Sequence, residues 1–181
     1  MKRILALFVS WAVVVTAAET SPPGWLLVEE TVAAAVASPQ ITVVHFWAPW
    51  CPNSKVELAE RGWETFIGSH PDVKFIFVTV RSSDDGKAML AENGVGAQAN
   101  LTLLQHPNHI RKGEGSLTSF MDLPISWVPS TWIFRGGKLR YALNYGEVRF
   151  AMLQQLIRDT ANEWEHEAAR DAERSTLNTQ R

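Results

Sequence analysis

The stretch that decides the fold is ITVVHFWAPWCPNSK, residues 41–55. Its first part, Ile41 to Trp47, is rich in β-branched and aromatic residues, which favour a buried strand. A turn bounded by prolines follows, and a helical pattern runs from Cys51 to about Ile67. The sequence therefore predicts a strand that leads through a short turn into a helix, with Cys51 at the helix N-terminus.

Cys51 is the only cysteine in the chain and is the candidate nucleophile. At a helix N-terminus the first backbone N–H groups lack intrahelical acceptors, and the helix dipole favours an anion. Both effects stabilise a thiolate, which is the form of cysteine that attacks disulfides. The cysteine count assigns no redox compartment, because one cysteine cannot form an internal disulfide.

The run FWAPWCP at residues 46–52 resembles the signature of the thioredoxin superfamily, in which Trp-Cys-x-x-Cys follows a strand that ends in Phe-Trp-Ala. Ser54 stands where the family has its second cysteine. A dithiol protein uses that second thiol to resolve the mixed disulfide formed with its substrate. The resemblance therefore implies catalytic positions at Cys51 and Ser54, with an external thiol needed to release the substrate.

A second landmark, WVPST at residues 127–131, resembles the cis-proline loop of the same family. In the family this loop lies against the active-site helix, and the residue before the proline offers its backbone to an extended substrate. The resemblance implies that Val128 and Pro129 bind substrate, together with Trp50 and Pro52 of the first signature. A trans proline that marks the start of a strand is the alternative.

Two polar side chains near Cys51 each allow two interpretations. His45 lies in the predicted strand, where an imidazolium would favour the Cys51 thiolate and a neutral ring would be a core histidine bonded to backbone. Ser54 follows Cys51 by one helical turn. Its hydroxyl either donates to the thiolate or satisfies a backbone N–H of the first turn.

The remaining sequence alternates strand and helix patterns, which is typical of an α/β core. We predict a short strand at Trp25–Val28, a helix at Glu29–Ala37, a strand at Val73–Val80, a helix at Asp84–Asn93, a strand at Leu101–Gln105, a helical turn at Leu117–Met121, a hairpin of Thr131–Phe134 with Leu139–Leu143, and a helix from Glu147 to about Ala161.

The segment between Cys51 and Pro129 is longer than a plain thioredoxin requires. Its helix and strand resemble the extra element of the exported TlpA and ResA branch of thiol-disulfide proteins. The resemblance implies an α/β, thioredoxin-like fold. In that fold a central mixed β-sheet is flanked by helices, with an insertion between the active-site helix and the cis-proline loop.

The N-terminus has the pattern of a secretory signal peptide, with Lys2 and Arg3 before an apolar run and small residues up to Ala18. It predicts a periplasmic or extracellular protein. An uncleaved apolar segment would instead tether the protein to a membrane with the domain outside. The predicted organisation is a signal peptide at 1–18, a linker at 19–24, a thioredoxin-like domain at 25–161 and a polar C-terminal extension at 162–181.

Charge and composition argue against other classes of site. The chain has 17 Lys and Arg against 19 Asp and Glu, a net charge of −2, and no basic stripe that would neutralise nucleic-acid phosphates. His106 and His109 have neither a second cysteine nor clustered carboxylates beside them, so we predict no metal site. No cofactor is predicted.

Two functions remain open from the sequence. In the first, an exported protein acts on thiols and disulfides of client proteins through Cys51 alone, and an external thiol reductant resolves the mixed disulfide. In the second, a redox-inactive thioredoxin fold serves as a binding or chaperone-like module that uses the groove at Pro129 without turnover.

Overall fold

The computed structural model describes residues 24–143 and 149–161. The predicted signal peptide, almost all of the linker and the C-terminal extension lie outside these residues. Within the described ranges, no helix combines the length and the apolar character needed to cross a membrane.

Helices and strands alternate along most of the chain. The helices are α1 (Leu27–Val36), α2 (Pro52–Leu58), α3 (Gly62–Gly68), α4 (Lys87–Glu92) and α5 (150–161), with a 3₁₀ turn at Ala59–Arg61. The strands are β1 (Thr42–Trp47), β2 (Lys74–Thr79), β3 (Leu101–Gln105), β4 (Ser119–Phe120), β5 (Leu123–Pro124), β6 (Ser130–Arg135) and β7 (Lys138–Leu143).

Five strands form one mixed sheet in the order β3-β2-β1-β6-β7. Strands β1, β2 and β3 are parallel, whereas β6 and β7 add to the other side of β1 in antiparallel pairs. Every residue of β1 is buried, as expected for a central strand covered on both faces. The predicted α/β fold with a central mixed sheet and flanking helices is confirmed.

Alternate residues of β1 point into two separate cores, because side chains alternate across a strand. Val44 and Phe46 join a cluster with residues of α1 and of the β4–β5 hairpin. Val43 and Trp47 join a second cluster with residues of α3, α4 and α5. Leu58 of α2 belongs to this second cluster as well. The sheet therefore has α1 with the hairpin on one face and α2, α3, α4 and α5 on the other.

The insertion lies between β2 and β6 and consists of α4, β3 and the β4–β5 hairpin. Asp84 and Asp85 precede α4 and do not belong to it. Their carboxylates accept hydrogen bonds from the N–H groups of Gly86 and Lys87, at 2.8 and 3.0 Å. Such carboxylates satisfy donors that a helix start leaves unpaired, so the helix begins later than the sequence predicted.

Two short elements were predicted wrongly. The strand expected at Trp25–Val28 is absent, because α1 starts at Leu27 and Glu29 caps it by accepting from the Leu26 N–H at 2.9 Å. The helical turn expected at Leu117–Met121 is instead the start of the β4–β5 hairpin. At the first position the contact between Glu29 and the Leu26 N–H outweighed the strand propensity. At the second, pairing of β4 with β5 outweighed the helix propensity.

The helix predicted from Cys51 to Ile67 is interrupted. Arg61 adopts a left-handed backbone (φ 56°), which ends the 3₁₀ turn and starts α3 in a new direction. Gly62 then packs against the ring of Phe150, and a Cβ at this glycine would lie 2.4 Å from Cε2 of that ring. The break lets α3 approach α5 closely while α2 stays at the end of β1.

Candidate functional site

Cys51 is the N-cap residue of α2 and lies just beyond the carboxyl end of β1. Its thiol donates a hydrogen bond to the carbonyl oxygen of Val128, with Sγ and O 3.3 Å apart. Pro52, the first residue of α2, is exposed. Only 7% of the Cys51 surface is exposed, so its sulfur is largely covered but lies against the loop that the sequence assigned to substrate.

The Val128–Pro129 peptide bond is cis, and Pro129 is buried. Ser130 fixes the loop by donating from Oγ to the carbonyl of Trp127 at 2.8 Å. The structure thus brings together the two landmarks of the sequence, the Cys51 turn and the Pro129 loop.

Ser54 lies on α2 near Cys51 but is bonded elsewhere. Its side chain is almost completely buried, and its hydroxyl oxygen accepts from the N–H of Ala48 at 3.4 Å. Among the described residues, Ser54 and Cys51 form no side-chain hydrogen bond with each other. The hydroxyl therefore holds the turn before the helix, closer to the second of its two predicted roles.

His45 is buried beneath the site between two aromatic rings, Trp63 at 4.6 Å and Phe77 at 4.8 Å. Its Nδ1 lies 2.9 Å from Oγ1 of Thr131, and its Nε2 lies 3.3 Å from Oε2 of Glu57. Burial lowers the pKa of His45 to about 3, so the ring is neutral at pH 7. His45 therefore supplies no imidazolium charge to the site. Its ring nitrogens contact the side chains of Thr131 and Glu57, whereas the sequence analysis expected a neutral ring to bond to the backbone.

Trp50 connects the turn before α2 to two other parts of the chain, the residues after β2 and the insertion. Its indole Nε1 donates to the carbonyl of Arg81 at 2.8 Å, and the guanidinium carbon of Arg111 lies 4.0 Å from its ring centroid. A guanidinium at that distance from an indole face is a favourable cation–π arrangement. Trp50 is half-buried, whereas Trp47 is a core residue.

Arg81 ties the loop that leads to Val128 onto the end of β2. Its guanidinium donates to the carbonyls of Leu117, Ile125 and Ser126, at 2.5, 3.0 and 3.2 Å. Partial burial lowers the pKa of Arg81, but an arginine stays charged in the physiological range. The residue itself has a left-handed backbone (φ 54°). Arg81 therefore positions both Trp50 and the loop that leads to Val128.

A groove of about 590 Å³ is lined by residues next to Cys51 in the chain and by Val128, which accepts its hydrogen bond, although Cys51 itself does not line it. Trp50, Asn53 and Val128 line it at the end near the sulfur, and Arg111 and Lys112 line it on the insertion. The volume is within the range of sites that hold small molecules or short peptide segments.

Sequence reasoning missed Arg81, Glu57 and Arg111. Glu57 stands in an ordinary helical pattern, and Arg81 and Arg111 lie in loops without a motif. One sequence signal pointed to Arg81. It directly follows the predicted strand Val73–Val80, whose carboxyl end lies beside that of β1, and ligand sites form at such strand ends.

No family model matches the sequence, and no curated protein is similar to it. The structure is similar to that of a secreted disulfide oxidoreductase of Mycobacterium tuberculosis homologous to E. coli DsbE. The TM-score is 0.51 and the identity 18%, covering 68% of this chain and 84% of that one. A secreted thiol-disulfide isomerase from Corynebacterium glutamicum gives a TM-score of 0.50 and 12% identity, covering 70% of this chain and 74% of that one. These likenesses, together with the sheet order, show that the chain has a thioredoxin-like fold.

Proposed function

We propose that this protein exchanges thiols and disulfides with client proteins through the single nucleophilic cysteine, Cys51. The observation that carries the proposal is the placement of the Cys51 sulfur at the start of α2, 3.3 Å from the Val128 carbonyl and beside an open groove. Pro52 has no amide hydrogen, so the first N–H groups without an intrahelical acceptor belong to Asn53 and Ser54. These two N–H groups lie at the end of α2 that begins at Cys51.

The reaction is an exchange in two displacements. The Cys51 thiolate attacks one sulfur of a client disulfide, a bond forms between the two sulfurs, and the other client sulfur leaves as a thiolate that takes a proton from water. An external thiol, as its thiolate, then attacks the mixed disulfide and releases Cys51. The client ends joined to the external thiol, and Cys51 returns to its starting state.

Substrate approaches on the groove side of Cys51 in this proposal, because the chain neighbours of the cysteine line the groove. The backbone of Val128 binds the extended client segment beside Pro129, Trp50 covers the adduct, and Pro52 forms the outer edge. Ser54 leaves Cys51 without an internal resolving thiol. His45 acts as a neutral ring that holds Glu57 and Thr131 beneath the site.

We place the protein in the exported, TlpA/ResA-like branch of the superfamily. Support comes from the insertion between β2 and β6 and from the signal-peptide pattern at residues 1–18. The two similar structures are those of secreted proteins. Export brings the domain to the periplasm or the cell exterior, either released or tethered by an uncleaved apolar segment.

A binding or chaperone-like module without turnover is the second candidate. The low exposure of the Cys51 sulfur favours it, since a thiol that no disulfide can reach is chemically silent.

The rate of mixed-disulfide formation separates these functions. The full chain and Cys51→Ala are mixed with a peptide disulfide, and adducts are counted by intact mass, first folded and then in denaturant at the same pH. We expect the folded thiol to react about tenfold faster than the unfolded one, and an added small thiol to release the adduct. A folded thiol that reacts more slowly than the unfolded one would contradict the exchange function and support the binding module.

A further inference from the structure

The groove beside Cys51 has cationic walls. Arg81, Arg111 and Lys112 line it, and no aspartate or glutamate is among its lining residues. Glu114 belongs to the same loop as Arg111 but does not line the groove. The sign of this surface is opposite to that of the whole chain, whose formal net charge is −2.

No carboxylate of the described residues pairs with the cationic side chains of the groove. Arg111 and Lys112 are both exposed, and in the described ranges neither lies within ion-pair distance of a carboxylate. The guanidinium carbon of Arg111 lies 4.0 Å from the centroid of the Trp50 ring. A guanidinium stacked on an aromatic face keeps donors for an anion such as a carboxylate. The Arg81 guanidinium is bonded only to uncharged carbonyl oxygens.

The same groove also has an apolar component. Trp50, Ile125, Trp127 and Val128 line it, and Trp127 is 57% exposed. Tryptophan and arginine together are the residues that contribute most energy at protein interfaces. The lining therefore suits a ligand with both apolar side chains and carboxylates.

We propose that the groove binds an acidic, cysteine-containing peptide segment of a client protein, with client carboxylates at Arg111 and Lys112 and the client sulfur at Cys51. The sulfur step of this inference rests on the proposed exchange function, whereas the binding step does not. Trp50 joins the two ends of the site, because it precedes Cys51 in the chain and carries Arg111 on its ring.

A peptide fits the groove better than a small anionic thiol does. The groove runs from Asn53 and Trp50 near the sulfur to Lys112 on the insertion, and its volume of about 590 Å³ exceeds the need of a single thiol compound. The exposed ring of Trp127 adds surface that only a longer ligand covers.

The test uses three pentapeptides that differ in charge, Glu-Glu-Cys-Glu-Glu, Gln-Gln-Cys-Gln-Gln and Lys-Lys-Cys-Lys-Lys. Each is blocked at both ends and carries its cysteine as a mixed disulfide with 2-thiopyridine. Attack of Cys51 on the peptide sulfur joins the peptide to the protein and releases pyridine-2-thione, whose absorbance gives the rate. We expect the acidic peptide to react roughly fivefold faster than the neutral one at low salt and to lose that advantage at high salt.

The double variant R111Q/K112Q removes the two exposed charges of the groove. We expect it to abolish the preference for the acidic peptide. The control K138Q/R158Q changes the net charge equally at exposed positions that do not line the groove, and it should keep the preference. Because the chain is negative overall, a general charge effect would slow the acidic peptide, so equal or slower reaction of that peptide overturns the inference.

Failure of the chemistry and failure of the inference are distinguishable. Serine analogues of the peptides are titrated onto Cys51→Ser, and the tryptophan fluorescence reports binding without sulfur exchange. Preferential binding of the acidic analogue without adducts on the native chain supports the groove and refutes the exchange function. Equal adduct rates for all three peptides support exchange and refute the groove. Faster reaction of 3-mercaptopropionate, supplied as its own mixed disulfide with 2-thiopyridine, than of the acidic peptide overturns the choice of a peptide ligand.

Discussion

The Cys51 thiol and the Val128 carbonyl, 77 positions apart in the chain, are joined by a hydrogen bond of 3.3 Å. The carbonyl accepts the thiol hydrogen but has no hydrogen to offer a thiolate. Deprotonation of Cys51 therefore breaks this contact and leaves the Val128 oxygen ready for a donor from another molecule. An extended peptide supplies such donors from its own backbone, which links the chemistry of the sulfur to the binding of substrate.

Ser54→Cys should convert the protein into one that resolves its own mixed disulfide. The new thiol lies one helical turn from Cys51, within reach of a mixed disulfide formed there, and attack by it releases the client. In the absence of any added thiol, we expect two client thiols per Cys51 and no adduct in the variant, against one client thiol and one persistent adduct in the native chain. The measurement is the number of client thiols formed per Cys51.

The matched control for that change is Ser54→Ala, which removes the hydroxyl bonded to the Ala48 N–H without adding a thiol. It should lower stability by about 1 kcal/mol and leave the adduct count at one. Without an added thiol, release of the client by Ser54→Ala, or a persistent adduct in Ser54→Cys, would show that the second position does not govern resolution.

The sequence was sufficient for the central sheet and the location of Cys51. The β-branched run of residues 41–47 and the paired glycines at 136 and 137 carry strong local signals, and both became strands or turns as predicted. The contact between Cys51 and Val128 followed only from the resemblance, since no local pattern relates residues so far apart.

Side chains in the site were harder to predict, because burial there does not follow polarity. Glu57 is buried whereas its neighbour Val56 is 51% exposed, the reverse of what hydropathy favours. The cause is His45 on β1, whose Nε2 supplies a polar partner for the Glu57 carboxyl. Arg81 is similar, since its three carbonyl partners lie 36 to 45 positions away.

Arg81→Lys should destabilise the protein by about 2–3 kcal/mol. An ammonium cannot reproduce the planar fork that reaches three carbonyls, and a hydrogen bond from a charged group contributes about 1.5–3 kcal/mol. Lysine and arginine both have a Cβ, so the left-handed backbone at position 81 costs the same in the variant and in the native chain. The difference in stability therefore reports the loss of the guanidinium. Chemical denaturation measures the loss, and adduct formation at Cys51 should slow with it because the Val128 loop is less well held.

Arg158→Lys is the control for this substitution, since Arg158 is exposed on α5 and bonds only to Gln155 among the described residues. Its effect should stay within about 0.5 kcal/mol. Equal effects of the two substitutions would mean that the carbonyl contacts of Arg81 contribute nothing specific.

Gly86→Ala should be much more damaging than Gly136→Ala. Both glycines have positive φ, 72° and 57°, but a Cβ at Gly86 would lie 2.4 Å from Cη2 of Trp47, whereas one at Gly136 meets nothing within 4 Å. The backbone strain of about 1 kcal/mol is common to both, and overpacking against Trp47 adds about 1–3 kcal/mol at Gly86 only. Thermal or chemical unfolding of the pair gives the difference directly, and equal losses would contradict the close contact.

The buried His45 should make the protein less stable as the pH falls below about 6.5. Its pKa is lowered from 6.5 to about 3 in the folded state, so between these values the unfolded chain binds a proton that the folded chain does not. The free energy of unfolding then decreases by about 1.4 kcal/mol per pH unit, or about 2 kcal/mol at pH 5 relative to pH 7.5.

His45→Gln removes that titrating group. Denaturation at several pH values should show that the free energy of unfolding of this variant falls by about 2 kcal/mol less than that of the native chain between pH 7.5 and pH 5. His109→Gln, at an exposed position, controls for the general loss of an imidazole. If the glutamine variant does not fold, NMR of the native chain gives the same answer, because the ring resonances of His45 should not titrate between pH 8 and pH 5. Titration of those resonances, or parallel stability profiles, would mean that the imidazole takes up its proton inside the folded protein beside Glu57, and the site would then contain a positive charge after all.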